Sequence, residues 1–207
     1  MKYVSIDLET SGLDPEKNQI LEFGAILEDT DKCLGYYKIP KFSCIIERKE
    51  IMGQPIALNM NTRIINILSN LWMAKGEKRD AIRKKFNIIK EDELVSNFIN
   101  WLAPYFATKE NSCEDLQLYS YDFVLNIAGK NYASFDGRFL EKVPGWKEMV
   151  KCSHKIIDPA TLYVDWNKDE RLPSLDDCLK RAGIEKSVTH TAVEDAWDVI
   201  QVLRKKY

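Results

Sequence analysis

Asp7 and Glu9 stand one residue apart in Tyr3-Val4-Ser5-Ile6-Asp7-Leu8-Glu9-Thr10, and His190 stands five residues ahead of Asp195 in His190-Thr191-Ala192-Val193-Glu194-Asp195. A further acid, Asp136, lies between them in the chain. Tyr3, Val4 and Ile6 are strand formers, and Asp14-Pro15 supplies a turn signal after them. Side chains two apart on a strand share a face, so Asp7 and Glu9 project together, roughly 7 Å apart along the backbone, while Val4, Ile6 and Leu8 project oppositely. Carboxylates held this close repel, and without a cation at least one tends to keep its proton. A divalent metal removes that conflict. An isolated Asp-x-Glu also suits a strand end emerging into solvent. It is the company of Asp136, His190 and Asp195 that turns the reading towards metal-dependent cleavage of a phosphodiester.

The C-terminal group has a readable geometry. Thr191-Ala192-Val193-Glu194 fits a capping box, with Thr191 as N-cap and Glu194 at the third helical position. Ala192, Ala196, Val199 or Ile200, and Leu203 then recur at helical spacing as a buried stripe. Inside one helix His190 and Asp195 would lie about 140° apart around the axis. With the helix starting after His190, the histidine is free to reach from the loop over whatever Asp195 holds, and Asp195 occupies the first turn, where a carboxylate is favoured. Asp195 as a simple helix-dipole acid, with His190 a surface loop residue, is the plainer alternative.

Taken together, Asp7-Leu8-Glu9-Thr10-Ser11-Gly12, Asn131-Tyr132-Ala133-Ser134-Phe135-Asp136 and His190-Thr191-Ala192-Val193-Glu194-Asp195-Ala196 resemble the three motifs of the DEDDh 3′-to-5′ exonucleases, in order and spacing, over about Lys2 to Leu203. The sequence departs from that pattern at Lys130 and Asn61, where many relatives carry histidine. The resemblance implies an RNase H-like α/β fold and a single exonuclease domain over residues 1–207. It implies two Mg²⁺ or Mn²⁺ ions held by Asp7, Glu9, Asp136 and Asp195, with Asp7 bridging, and His190 as general base. It also implies substrate contacts from Thr10, Ser11, Gly12, Asn61 and Phe135, and release of a 5′-mononucleotide from the 3′ end of a single strand. DNA is favoured over RNA because no side chain stands out as a reader of the 2′-hydroxyl. An exoribonuclease or oligoribonuclease of the same family is the alternative substrate class, and a catalytically silent nucleic-acid-binding module is the alternative of another kind. A proofreading role would need a separate polymerase or replication partner.

The elements that must position these residues follow from periodicity. Ile20 to Leu27 and Phe42 to Ile46 read as second and third strands of a meander, Ile127 to Ala133 as a strand delivering Asp136, and Ile156-Ile157-Asp158 as another short strand. Ile56 to Asn70, Glu93 to Phe106, Ser174 to Ala182 and the C-terminal segment read as helices. An antiparallel start followed by alternating helices and strands argues for a mixed α/β sheet with flanking helices. Glu22 and Asp158 read as structural acids. Trp72, Trp101, Trp146, Trp166 and Trp197 read as core before stacking platforms, and Lys75 to Lys90 reads as a solvated basic face that could also follow a phosphate backbone.

With 207 residues, 45% apolar and 30% charged, the chain suits one globular domain and not a disordered one. Neither a signal peptide nor a ~20-residue apolar span is legible, so the expectation is an intracellular, cytoplasmic protein off the membrane. Five dispersed cysteines, Cys33, Cys44, Cys113, Cys152 and Cys178, lack the paired spacing of a zinc site and read as reduced thiols. The net charge of −2 is compatible with a nucleic-acid partner if bound dications reverse the sign locally.

Overall fold

The computed structural model describes residues 1–106, 124–186 and 189–207; Cys113 lies outside them. Strands β1 (Lys2–Thr10), β2 (Ile20–Asp29) and β3 (Lys41–Ile46) form the expected antiparallel meander. Two short parallel strands flank it, β4 (Ile88–Ile89) beside β3 and β5 (Ile127–Ala128) beside β1, in the order β4-β3-β2-β1-β5. The sheet is therefore mixed, as the sequence pattern implies.

The helices of the described residues are α1 (Pro55–Met60), α2 (Thr62–Met73), α3 (Glu77–Lys85), α4 (Leu94–Phe106), α5 (Asp136–Leu140), α6 (Trp146–Met149), α7 (Ala160–Tyr163), α8 (Leu175–Arg181) and α9 (Ala192–Arg204). Alternation along β1 sorts the core. Val4, Ile6 and Leu8 enter the larger cluster with Phe23, Phe98 of α4 and Trp146, whereas Tyr3 joins Ile26, Ala196, Val199, Ile200 and Leu203 on the opposite face. Each such aliphatic side chain contributes about 1.5–3 kcal/mol on burial. By the period of two, Asp7 and Glu9 belong to the Tyr3 face, the one that α9 covers.

Gly24 sets how closely α9 approaches. It lies opposite Asp7 in the β1–β2 ladder, and a Cβ there would meet the Ala192 carbonyl carbon at 2.3 Å and the Val193 nitrogen at 2.4 Å. The first turn of α9 thus rests on bare backbone of β2, directly across from the strand that carries the acids.

Four expectations need correction. The strand read over Ile127 to Ala133 stops at Ala128, because Gly129 turns the chain close over Ile6 and Asn131 takes a left-handed φ of 61°. Ile156 to Asp158 is no strand; Ile157 makes only an isolated parallel bridge to Ala128. The helix read over Ile56 to Asn70 is two, α1 and α2, interrupted at Asn61, whose side-chain amide bonds to backbone carbonyls in the way that disfavours uninterrupted helix. Trp146 is buried and Trp101 and Trp197 pack against the two main clusters, but Trp72 and Trp166 are exposed, Trp166 by 85%. Among the described residues no helix is long and apolar enough to cross a membrane.

Candidate active site

β1 presents Asp7 and Glu9 on the α9 face. On the outer side of β1, β5 pairs only with Val4 and Ser5, which leaves the Leu8 N–H without a strand partner. The Asp136 side chain takes it: Oδ1 accepts from Leu8 N at 3.0 Å, and the residue is 2% exposed at the start of α5. A buried N–H must find an acceptor, and here satisfying it brings the third acid beside the first two.

α9 brings the fourth. Asp195 lies in its first turn, buried, with Oδ1 3.4 Å from the Thr189 backbone nitrogen. Thr191 is the N-cap, but the reciprocal box is not formed. Its hydroxyl donates instead to the Glu194 carboxylate at 2.9 Å, and the Ala192 N–H donates to Glu22 Oε2 at 3.2 Å. Glu22 pairs across the ladder with Glu9 and is held by Arg63 Nη2 at 2.6 Å. It is a structural acid, as read. His190 precedes the helix in a left-handed conformation, φ 54°, which costs a non-glycine residue on the order of 1 kcal/mol or more. Its ring, with Glu9 and Asp195, offers ligand atoms all within 4.8 Å of one another.

The electrostatics match the crowding. Burial, and then the charges of Asp136, Asp195, Glu9 and Glu22, hold the Asp7 carboxyl well above its usual range. Burial first, then Asp195 and Glu22, push Glu9 up to about 7, against the Asn61 amide and the Arg63 guanidinium. Burial raises Asp136 to about 7 against the hydrogen bonds of its own backbone and of Leu8. Burial likewise raises Asp195 to about 7 against the Thr189 N–H. Four oxygen donors that resist ionising when empty fit a divalent cation, whose charge relieves the repulsion.

The turn after β1 is knitted to the segment that leads into α1. Thr10 Oγ1 donates to Gly12 O at 2.8 Å, and Ser11 Oγ donates to Met52 O at 2.6 Å while accepting from Gln19 N at 2.9 Å. A Cβ on Gly12 would lie 2.5 Å from the Asn18 side chain. Asn61 is buried and gives its amide to Thr10 O and Ala57 O, both at 3.1 Å. The hydroxyls of Thr10 and Ser11 are thus engaged within the protein. Phe135 is half-buried, 5.2 Å from the Phe139 ring. Leu13 in this turn, Met52 in the segment bonded to it, and Ile56 and Met60 of α1 are exposed.

Arg63 and Gly24 escaped the sequence reading. An arginine two residues after Asn61 carries no motif, and the one signal for its role is an acid, Glu22, inside the apolar run Ile20-Leu21-Glu22-Phe23. Asp158 is structural, as read: Oδ2 accepts from Asn131 N at 2.9 Å and Oδ1 from Ala160 N at 2.8 Å, pinning the loop ahead of Asp136. In the basic stretch Arg79 and Arg83 both grip Glu47, at 2.8 and 2.5 Å, so these two cations fasten α3 to the end of β3.

No family model matches the chain, and no curated protein does. Its fold, the mixed sheet with its flanking helices, is shared with solved structures of exonucleases. The nuclease domain of 3′hExo, a DEDDh family member bound to rAMP, aligns with a TM-score of 0.62 at 13% identity over 98% of this chain and 89% of that one. The zinc-bound E. coli ExoI–ssDNA complex aligns with a TM-score of 0.57 at 20% identity over 99% of this chain and 39% of that one. Exonuclease I from Methylocaldum szegediense aligns with a TM-score of 0.56 at 16% identity over 99% of this chain and 40% of that one. The chain therefore spans about two fifths of the length of these Exonuclease I chains.

Proposed function

We propose that the chain is a metal-dependent 3′-to-5′ exonuclease releasing 5′-mononucleotides from single-stranded ends, with DNA preferred to RNA. One observation carries this reading: four carboxyls from three separated segments converge with the ring of His190, in a fold shared with DEDDh exonucleases.

Asp7, on which the charges of the other acids converge, would with Glu9 and Asp195 hold two Mg²⁺ or Mn²⁺ ions, the cations that oxygen donors favour. Asp136, with one oxygen committed to Leu8 N, would serve more indirectly. When bound, such a pair of ions supplies charge at the attacking and departing oxygens of an in-line displacement. His190 would take the proton from the attacking water. Its exposed ring can pass that proton to solvent.

The strand end would be read by the turn after β1. The Thr10 and Ser11 hydroxyls, the Ser11 N–H and the Thr10, Ser11 and Gly12 carbonyls are all bonded within the protein, so the turn would meet the terminal sugar through its shape and the second lone pairs of those carbonyls, and Asn61 acts by fixing that turn. Leu13, Met52 and Ile56 offer apolar surface to the terminal base, and Phe135 flanks the base from the α5 side.

The test uses matched 5′-labelled single strands of DNA and RNA at one ionic strength, with Mg²⁺, Mn²⁺ or EDTA. A ladder from the 3′ end, an intact circular strand and no hydrolysis in EDTA are expected. Binding without hydrolysis at any metal concentration would leave a silent binding module. The rAMP bound to the 3′hExo domain favours a second reading, an exoribonuclease, and RNA degraded more than about tenfold faster, near 1.4 kcal/mol of transition-state preference, would put it first.

A further inference from the structure

We infer that Lys186 and Asp198 form a clasp that positions His190, a role outside the acid cluster and one that rests on the reading of His190 as the base. Asp198 is fully buried on α9, one turn beyond Asp195. Its Oδ1 receives Lys186 Nζ at 2.8 Å and Gln201 Nε2 at 2.9 Å, while Oδ2 has no hydrogen-bond partner among the described residues. With Asp198 buried and Lys186 half-buried, the pair is a poor source of stability, since apolar residues of similar volume often do as well or better in place of a buried charge. What this pair does is local: it fastens the chain four residues ahead of the histidine to the helix that carries Asp195.

The clasp is one of a series of ties. α8 ends in a left-handed Gly183, φ 69°, with Ile184 N bonding back to Leu179 O at 2.9 Å and Gly183 N to Lys180 O at 3.0 Å. These are the paired bonds of a Schellman ending. Ile184 then packs on the α8–α9 cluster of Cys178, Leu179 and Val202. Lys186 is bound to Asp198, Thr189 N to Asp195 Oδ1 and Thr191 Oγ1 to Glu194. All three side chains that hold the segment belong to α9. Strained backbone such as the left-handed His190 persists only where its surroundings over-determine it, and these ties bracket it on both sides. Upstream of the histidine the described ties are the Lys186 side chain on Asp198, the Thr189 N–H on Asp195 and the Thr189 hydroxyl beside that of Thr191 at 3.5 Å, and of these the Lys186 link is the one that fastens the chain more than one residue ahead of His190. Without it, the Thr189 ties alone would hold that side, and His190 would sample positions away from Glu9 and Asp195.

The chain has two histidines, His154 and His190, so imidazole NMR spectra of the full chain contain two ring systems, assigned by His190→Gln. Lys186→Met should broaden or average the His190 ring signals, leave those of His154 unchanged, and lower kcat about tenfold, as a misplaced group does, with KM little altered. Lys186→Arg should restore both signal and kcat. Because Lys186→Met strands a buried carboxylate, the pair Lys186→Met/Asp198→Leu provides a well-folded comparison. It should melt no lower than the parent and still show the broadened ring and the lowered kcat. Parental ring signals and kcat in the double variant would overturn the clasp, as would a kcat loss in Lys186→Met that Lys186→Arg fails to repair. If His190→Ala keeps parental turnover while the ring signals still respond to Lys186→Met, the clasp stands and the base assignment falls.

Discussion

Gly24→Ala tests whether the approach of α9 to β2 sets the geometry of the acids. The added methyl would stand 2.3 Å from the Ala192 carbonyl carbon, where ordinary contact begins at 3.4 Å. The first turn of α9 must therefore withdraw by about 1 Å, because the obstacle is backbone and cannot rotate away. Overpacking of this size costs about 1–3 kcal/mol, and in a domain of this length each kcal/mol lowers Tm by about 2–4 °C. The same movement carries Asp195 and His190 away from Asp7 and Glu9, and a displacement near 1 Å at a reacting centre costs up to about 100-fold in rate. Melting with and without Mn²⁺, together with single-strand turnover, reads all three effects. Gly35→Ala, with nothing within 4 Å of the new methyl, is the control and should leave metal response and turnover at parental values. Parental Tm and a parental Mn²⁺-induced shift in Gly24→Ala would refute the packing argument.

In the metal-free protein, Glu9, Asp136 and Asp195 are raised from ordinary carboxylate values to about 7. The folded state thus binds more protons than the unfolded one, and stability should fall as pH rises from about 4 to about 7; a melting series in EDTA checks this, and Mn²⁺ should remove the slope. Asp7→Asn should abolish turnover and most of the Mn²⁺-induced rise in Tm, whereas His190→Ala should lose turnover and keep the rise. Equal metal responses in the two variants would contradict the division of roles. Lys78→Glu and Lys84→Glu should weaken single-strand binding and flatten its salt dependence if the free cations of α3 follow phosphate. Arg83→Ala should instead lower Tm, because Arg83 holds Glu47.

Asp7 and Glu9 were legible because a strand's period of two needs no tertiary knowledge, and Asp195 because a capping signal places the start of α9. The meander was legible for the same reason. The limits of β5 were not: Val4 and Ser5 find their partners in Ile127 and Ala128, and what stops the strand is a turn in which Gly129 passes close to the Ile6 carbonyl and Asn131 takes a left-handed φ. Thr191 illustrates a finer miss. Its position as N-cap follows from sequence, yet the Glu194 N–H that a box would use bonds to the Thr191 carbonyl at 3.0 Å, and the hydroxyl turns to the Glu194 carboxylate. Arg63 and Gly24 depend on register and on which helix crosses which strand, information carried by packing and absent from any single segment.

The shortness of β5 sets a boundary on how this domain can be altered. A designer seeking a more robust protein would lengthen β5 so that the outer edge of β1 is fully paired, a change that in most sheets is harmless. Here the backbone of an extended β5 would claim the Leu8 N–H and displace Asp136 from the hydrogen bond that ties it to β1. The unfinished margin of the sheet is thus where the third acid docks, and mutational tolerance at residues 129–135 should be governed by that vacancy in the hydrogen-bond ladder more than by local helix or strand preference.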